Sequence, residues 1–207
     1  MINKLVNRTK IYGGTEIRPD LSWLVPGTEM HYHVMTYMNL EFETKGLTLE
    51  KYVVKKVKSD GTVILYNESQ VLIPPYSDVE AGKILQKGFI KFNLNDPITS
   101  TRVDKPKLLM TTIFSLGQKI RIGGSDYVCT DDEAIIEVPA FHDFREAIEF
   151  TVNTKGSESI FQLWFDKQLG ILLRSRSQTY LQNKYFGGCL WELQQLIYRH
   201  ASNTIIY

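Results

Sequence analysis

The chain has 207 residues, 43% of them hydrophobic, with 24 basic against 23 acidic side chains and a formal charge of +1. That length buries a full core without staples, and the balanced charge excludes an overall field that would draw the protein onto nucleic acid or an anionic membrane, leaving only local patches. Two cysteines, Cys129 and Cys189, lack CxxC spacing; they exclude a disulfide framework and fit a reducing compartment, with one disulfide between them left open.

In chain order, MINKLVNRTKIYGG offers no apolar run of signal-peptide length, and no later segment approaches the ~18 apolar residues of a membrane helix. The expectation is a protein that is not secreted by a signal peptide, cytoplasmic or assembled into a virion. Residues 1–28 form an irregular arm without sustained period. Within it Ile17, Leu21, Trp23 and Leu24 are too apolar to be left in water, so the arm needs a surface to lie on.

Residues 29–43, EMHYHVMTYMNLEFE, alternate as a strand does, placing His31 and His33 on one face. Two imidazoles roughly 6–7 Å apart can share a metal. Further ligands would have to come from His142, His200, Glu41, Glu43 or Asp143, and the plainer reading packs Met30, Tyr32 and Val34 and leaves the histidines at a rim. The segment KYVVKKVKSDGTVILYNE predicts a hairpin turning at Asp60-Gly61. Next, YSDVEAGKILQKG carries the Ser77/Glu80 capping box and Gly88, which predict a helix near 78–87.

Residues 107–138 supply three or four short strands between turns at Leu116-Gly117, Gly123-Gly124-Ser125 and Asp131-Asp132. REAIEFTVNT reads as a strand with Ile148, Phe150 and Val152 on one side. A second hairpin spans IFQLWFDKQLGILLRSR, turning between Asp166 and Gly170, with Arg174 and Arg176 on one face. At the end, Leu190, Leu193, Leu196 and Ile197 make a helical stripe that predicts an amphipathic helix near 189–200.

The sum is an α+β fold, a mostly antiparallel sandwich or small barrel with two helices. The arm 1–28 precedes a single domain over 29–207 that can carry an insertion around 68–106. The acidic group Asp126, Asp131, Asp132 and Glu133 lacks EF-hand spacing, and no pair among Asp132, Glu133, Glu137 and Glu149 has a separation that sequence can fix. No nucleophile elbow, P-loop or dinucleotide fingerprint occurs, and Cys189 would gain thiolate character only at a helix N-terminus. The sequence therefore assigns no catalytic, cofactor-binding or metal-ligating residue.

The first expectation is a non-enzymatic structural or assembly protein, with a bacteriophage virion component such as a head–tail connector or baseplate subunit as its concrete form. It would join protein subunits through the arm, without membrane contact. The alternatives are a metal-binding β-barrel enzyme or small-molecule binder using His31 and His33, and a single-stranded nucleic-acid binder. The last would use Lys51, Lys55, Lys56 and Lys58, or Arg174, Arg176, Lys184, Tyr180, Tyr185 and Phe186.

Overall fold

The computed structural model describes residues 18–38, 44–75, 79–99, 107–122, 125–153, 159–181, 184–200 and 203–207. They form an antiparallel, open sheet of eleven strands: β1 (Glu29–Met38), β2 (Thr44–Val57), β3 (Thr62–Ile73), β4 (Ile84–Asn93), β5 (Lys119–Ile122), β6 (Ser125–Val138), β7 (Asp143–Asn153), β8 (Ser159–Asp166), β9 (Leu172–Leu181), β10 (Lys184–His200) and β11 (Asn203–Ile206). The spatial order is β4-β3-β2-β1-β10-β9-β8-β7-β6-β5, with β11 added to β10. Two meanders, β1–β4 and β5–β10, are thus joined along β1 and β10. The only helix among the described residues is a 3-10 turn, Pro139–Phe141.

The hairpin expected at Asp60-Gly61 is present. Gly61 has φ +84°, a left-handed conformation that glycine takes at no steric cost, and the Asp60 carboxylate accepts from the Thr62 N–H at 2.9 Å. The second hairpin, β8 to β9, also forms, and 143–153 is the expected strand. The mostly antiparallel β character therefore holds. The helices do not: the α+β expectation is corrected to an all-β sheet, and the sandwich or barrel to a single open sheet.

Each correction has a local reason. Of the Ser77/Glu80 capping box, Ser77 lies outside the described residues, while Gly88 pairs with Asn67 in mid-strand rather than ending a helix. The alternation in ILQKGFIKFN, completed by pairing with β3, outweighs the capping signal. At the other end β10 is a 17-residue strand. Leu193 and Leu196 are both buried although three residues apart, the spacing that mimics a helix. The register explains it: Leu193 pairs with Tyr32 and Leu196 stands opposite Met30, so one residue of β10 is left over as a bulge that restores the inward direction. Likewise Asp131 and Asp132 are not a turn between strands. They sit inside β6, where two register shifts accommodate them, and Asp131 caps the Glu133 N–H.

One face of the sheet carries the core. Met30 and Tyr32, Tyr52 and Val54, Val63 and Leu65, Ile148 and Phe150, and Leu163 and Phe165 all point inward and belong to one cluster. Because the sheet is open, something other than a second sheet must cover that face. Two irregular segments do so. Residues 94–99 and 107–116 cross it, held by bridges from Ile98 to Met110 and Leu109 to Ile171, and bury Leu108, Leu109, Met110 and Phe114. Residues 18–28 lie beside them.

This placement accounts for two apolar side chains of the arm. Trp23 and Leu24 are 2% and 4% exposed within the chain's own core, and the Trp23 indole N–H donates to the Leu169 carbonyl at 3.0 Å. Those two side chains cover this molecule, not a neighbour. Residues 1–17 lie outside the described residues. The β8–β9 turn is the common anchor: Asp20 N–H bonds Gln168 O, Met110 N–H bonds Gly170 O, and Leu172 N–H bonds Leu108 O. Asp166, fully buried, holds that turn by accepting from the Gln168 and Leu169 N–H groups and from Arg145 Nε at 2.7 Å.

Candidate functional site

His31 and His33 do share the outward face of β1, but they have separate surroundings. His31 Nε2 lies 3.0 Å from Glu29, whose carboxylate also meets Lys51 at 2.6 Å. Burial works against that carboxylate, yet the hydrogen bonds from Lys51 and His31 hold it below the usual range. His33 pairs across strands with Glu192; burial lowers its pKa, with the Glu192 charge opposing. Among the described residues no group of three or more His, Cys, Asp or Glu is placed to hold a metal. His142 stands at the exit of the 3-10 turn in a left-handed conformation.

Outward groups of the second meander are tied to one another. Glu149 accepts from the Trp164 indole N–H at 3.1 Å and from Gln162 at 3.1 Å, while Arg174 meets Glu192 through Nε and Nη2 and donates to the Glu137 carbonyl. Glu149 and Glu137 are therefore held by different partners, one through its carboxylate and one through its backbone. Beside this row lies a cavity of about 460 Å³ lined in part by Tyr37, Trp164, Arg174, Arg176, Gln178 and Glu192. The two arginines expected on one face both reach it, while the side chains of Lys184 and Tyr185 lie outside the described residues. Neither cysteine is in a disulfide. Burial pushes the Cys129 thiol up to about 11, and Cys189 is in mid-strand, away from any helix N-terminus.

The first meander differs. Across β2, β3 and β4 the register sets Lys51, Glu68 and Lys87 in one row and Val53, Tyr66 and Phe89 in the next. A third row holds Lys56, Ile64 and Lys91, with Lys55 bulged out beside it. The bulge between Val54 and Lys56 turns both Lys55 and Lys56 to the solvent side. Lys55 Nζ sits 5.6 Å from the Tyr66 ring centre, and Tyr66 meets Phe89 edge-on at 5.7 Å. Phe89 is 68% exposed. Five lysines thus share the outward face of three strands with one carboxylate, Glu68, itself bonded by the Tyr66 hydroxyl at 3.0 Å.

Of the basic residues singled out from the sequence, Lys51, Lys55 and Lys56 are brought together; Tyr66, Phe89, Lys87 and Lys91 were missed. Their signal was the alternation Lys87-x-Phe89-x-Lys91, masked by reading the segment before it as a helix. At the far end of the β3–β4 pair lie Leu72, Ile73, Ile84 and Leu85, all exposed. They lie on or next to β4, which among the described residues is the last strand on that side of the sheet. Compared with known proteins, the chain matches no family model and no curated protein. No helix long and apolar enough to cross a membrane occurs among the described residues.

Proposed function

We propose that this protein is a non-enzymatic assembly component that joins a larger complex through the open β4 side of its sheet. The observation that carries the reading is the exposure of Leu72, Ile73, Ile84 and Leu85 at one end of the β3–β4 pair, beside β4, which among the described residues is the last strand on that side of the sheet. Such a patch gains from being covered by another chain.

Charge narrows the partner. The two edges, β4 with Lys87 and Lys91 and β5 with Lys119 and Arg121, carry the same sign, so pairing one copy's edge with another's sets like charges together. A different subunit with carboxylates near its contact strand fits better than a second copy. A bacteriophage virion component, a head–tail connector or baseplate subunit, is one concrete form of this reading; its support is the sequence profile alone. The contact is placed at the sheet edge rather than in the arm 1–28, of which Trp23 and Leu24 are committed to the core.

The test compares wild type with the Ile84→Ser/Leu85→Ser variant, measuring native mass by light scattering on material isolated without denaturant. The expected result is a complex of fixed stoichiometry for the wild type and a free monomer for the variant, at unchanged thermal stability. A wild-type protein that remains a monomer at every concentration, with no stoichiometric partner, would overturn the reading.

A further inference from the structure

We infer that the outward face of β2–β4 binds single-stranded nucleic acid, with Tyr66 and Phe89 as the stacking surface and lysines on both sides as the phosphate contacts. The inference shares Lys87 and Lys91 with the assembly reading, whose own support is the apolar end of the same meander.

Three observations carry it. The first is the layout. Phe89 is flanked on its own strand by Lys87 and Lys91, which alternation sends to the same side, each roughly 7 Å away along the strand. Tyr66 stands beside Phe89, with Lys55 against its ring and Lys51 and Lys56 in the neighbouring rows. A cation row, an aromatic row and a second cation row are what a flexible strand of bases and phosphates engages, since bases stack on rings while the backbone tracks positive charge.

The second concerns why the lysines are there. Lysine on an edge strand commonly keeps sheets from pairing, which would account for Lys87 and Lys91. It does not account for Lys51, which lies where β2 is paired on both sides, by β1 and β3. Beyond the end of the β1 pairing, the bulge turns two successive lysines, Lys55 and Lys56, outward and concentrates charge beside the Tyr66 ring.

The third is the contrast with the whole chain. A formal charge of +1 over 207 residues conceals a face on which five lysines meet two carboxylates, Glu68 and, from β1, the Glu29 that pairs with Lys51. Charge separated in this way gives a local potential that the total does not reveal. An exposed Phe89 and its Tyr66 neighbour select for a partner with flat π surfaces, which an acidic protein surface offers less regularly than unpaired bases do. Duplex DNA holds its bases in the stack and presents only phosphates to a flat sheet.

The experiment is fluorescence anisotropy with fluorescein-labelled dT12 and rU12, with a 12-base-pair duplex, heparin and a poly-aspartate peptide as comparisons. Saturable binding to at least one single strand is expected. Its log affinity should fall with log salt at a slope of about −2.8 if Lys55, Lys56, Lys87 and Lys91 reach phosphates. Lys87→Gln/Lys91→Gln should flatten that slope by about 1.4. Phe89→Ala should weaken binding about tenfold while leaving the salt slope in place, because it removes stacking rather than charge. All three positions are exposed, so these variants fold, and a melting curve verifies it.

Absence of saturable binding to either oligonucleotide at low salt would overturn the inference. So would equal affinity for the duplex or heparin combined with no effect of Phe89→Ala, which marks a surface for polyanions in general. Tighter capture of the poly-aspartate peptide than of both single strands would assign the face to an acidic protein instead. The Ile84→Ser/Leu85→Ser variant should bind the oligonucleotides as the wild type does, which separates this face from the assembly contact.

Discussion

The two meanders use the same antiparallel pairing for different ends. In the second, outward polar groups answer one another: Glu149 with Trp164 and Gln162, Arg174 with Glu192 and the Glu137 carbonyl. Its β8–β9 turn also anchors both segments that cover the core. In the first, the outward face leaves Lys55, Lys56, Lys87, Lys91, Phe89 and an apolar end toward solvent. The lesson is a difference in polar pairing within one sheet: these groups of the second meander hold one another, while most lysines of the first remain toward solvent.

That contrast can be broken at its strong end. Asp166→Ala should have the largest effect, on the order of 3–5 kcal/mol, because it strands the half-buried Arg145 cation and frees two backbone N–H groups of the anchoring turn. Chemical denaturation measures it, and a loss below about 1 kcal/mol would show that the turn is held by something else. Gly170→Ala follows at roughly 2–4 kcal/mol. Its φ of +66° is a left-handed conformation, and an added methyl would meet the Met110 carbonyl oxygen and Pro19. A melting temperature equal to wild type would refute the close approach of those three segments.

The weak end sharpens it. Phe89→Ala should change stability by no more than about 0.5 kcal/mol, since the ring is already mostly in water. A large loss on denaturation would mean the first meander depends on that face structurally. The smallest effect concerns His33. Its folded-state pKa lies below the usual 6.5, so the unfolded chain binds the proton first; stability is complete above pH 6.5 and falls as pH drops toward the folded value. In His33→Gln that part of the pH dependence should vanish, and an identical acid limb in both proteins would place its origin elsewhere.

Much was legible where the signal is local. Asp60-Gly61 and the Asp166–Gly170 turn were readable because a left-handed glycine or a capping carboxylate sets chain direction within a few residues. The candidate face was half legible. Lys51, Lys55 and Lys56 stood out as a cluster, but nothing in the sequence states that Tyr66 and Phe89 lie across from them, because that follows from strand register.

By itself, then, the amino-acid sequence determined the β-rich character, two hairpins and the alternation of β1, β3 and β7, since each depends on side-chain period and turn chemistry. Tertiary structure alone decided that β4 and β10 are strands, that Trp23 and Leu24 turn back on their own core, and that the sheet stays open. The physical reason lies in spacing that is locally ambiguous. Leu193 and Leu196 suit one helical face or a bulged strand equally well, and only Tyr32 and Met30, more than 150 positions earlier in the chain, select between them.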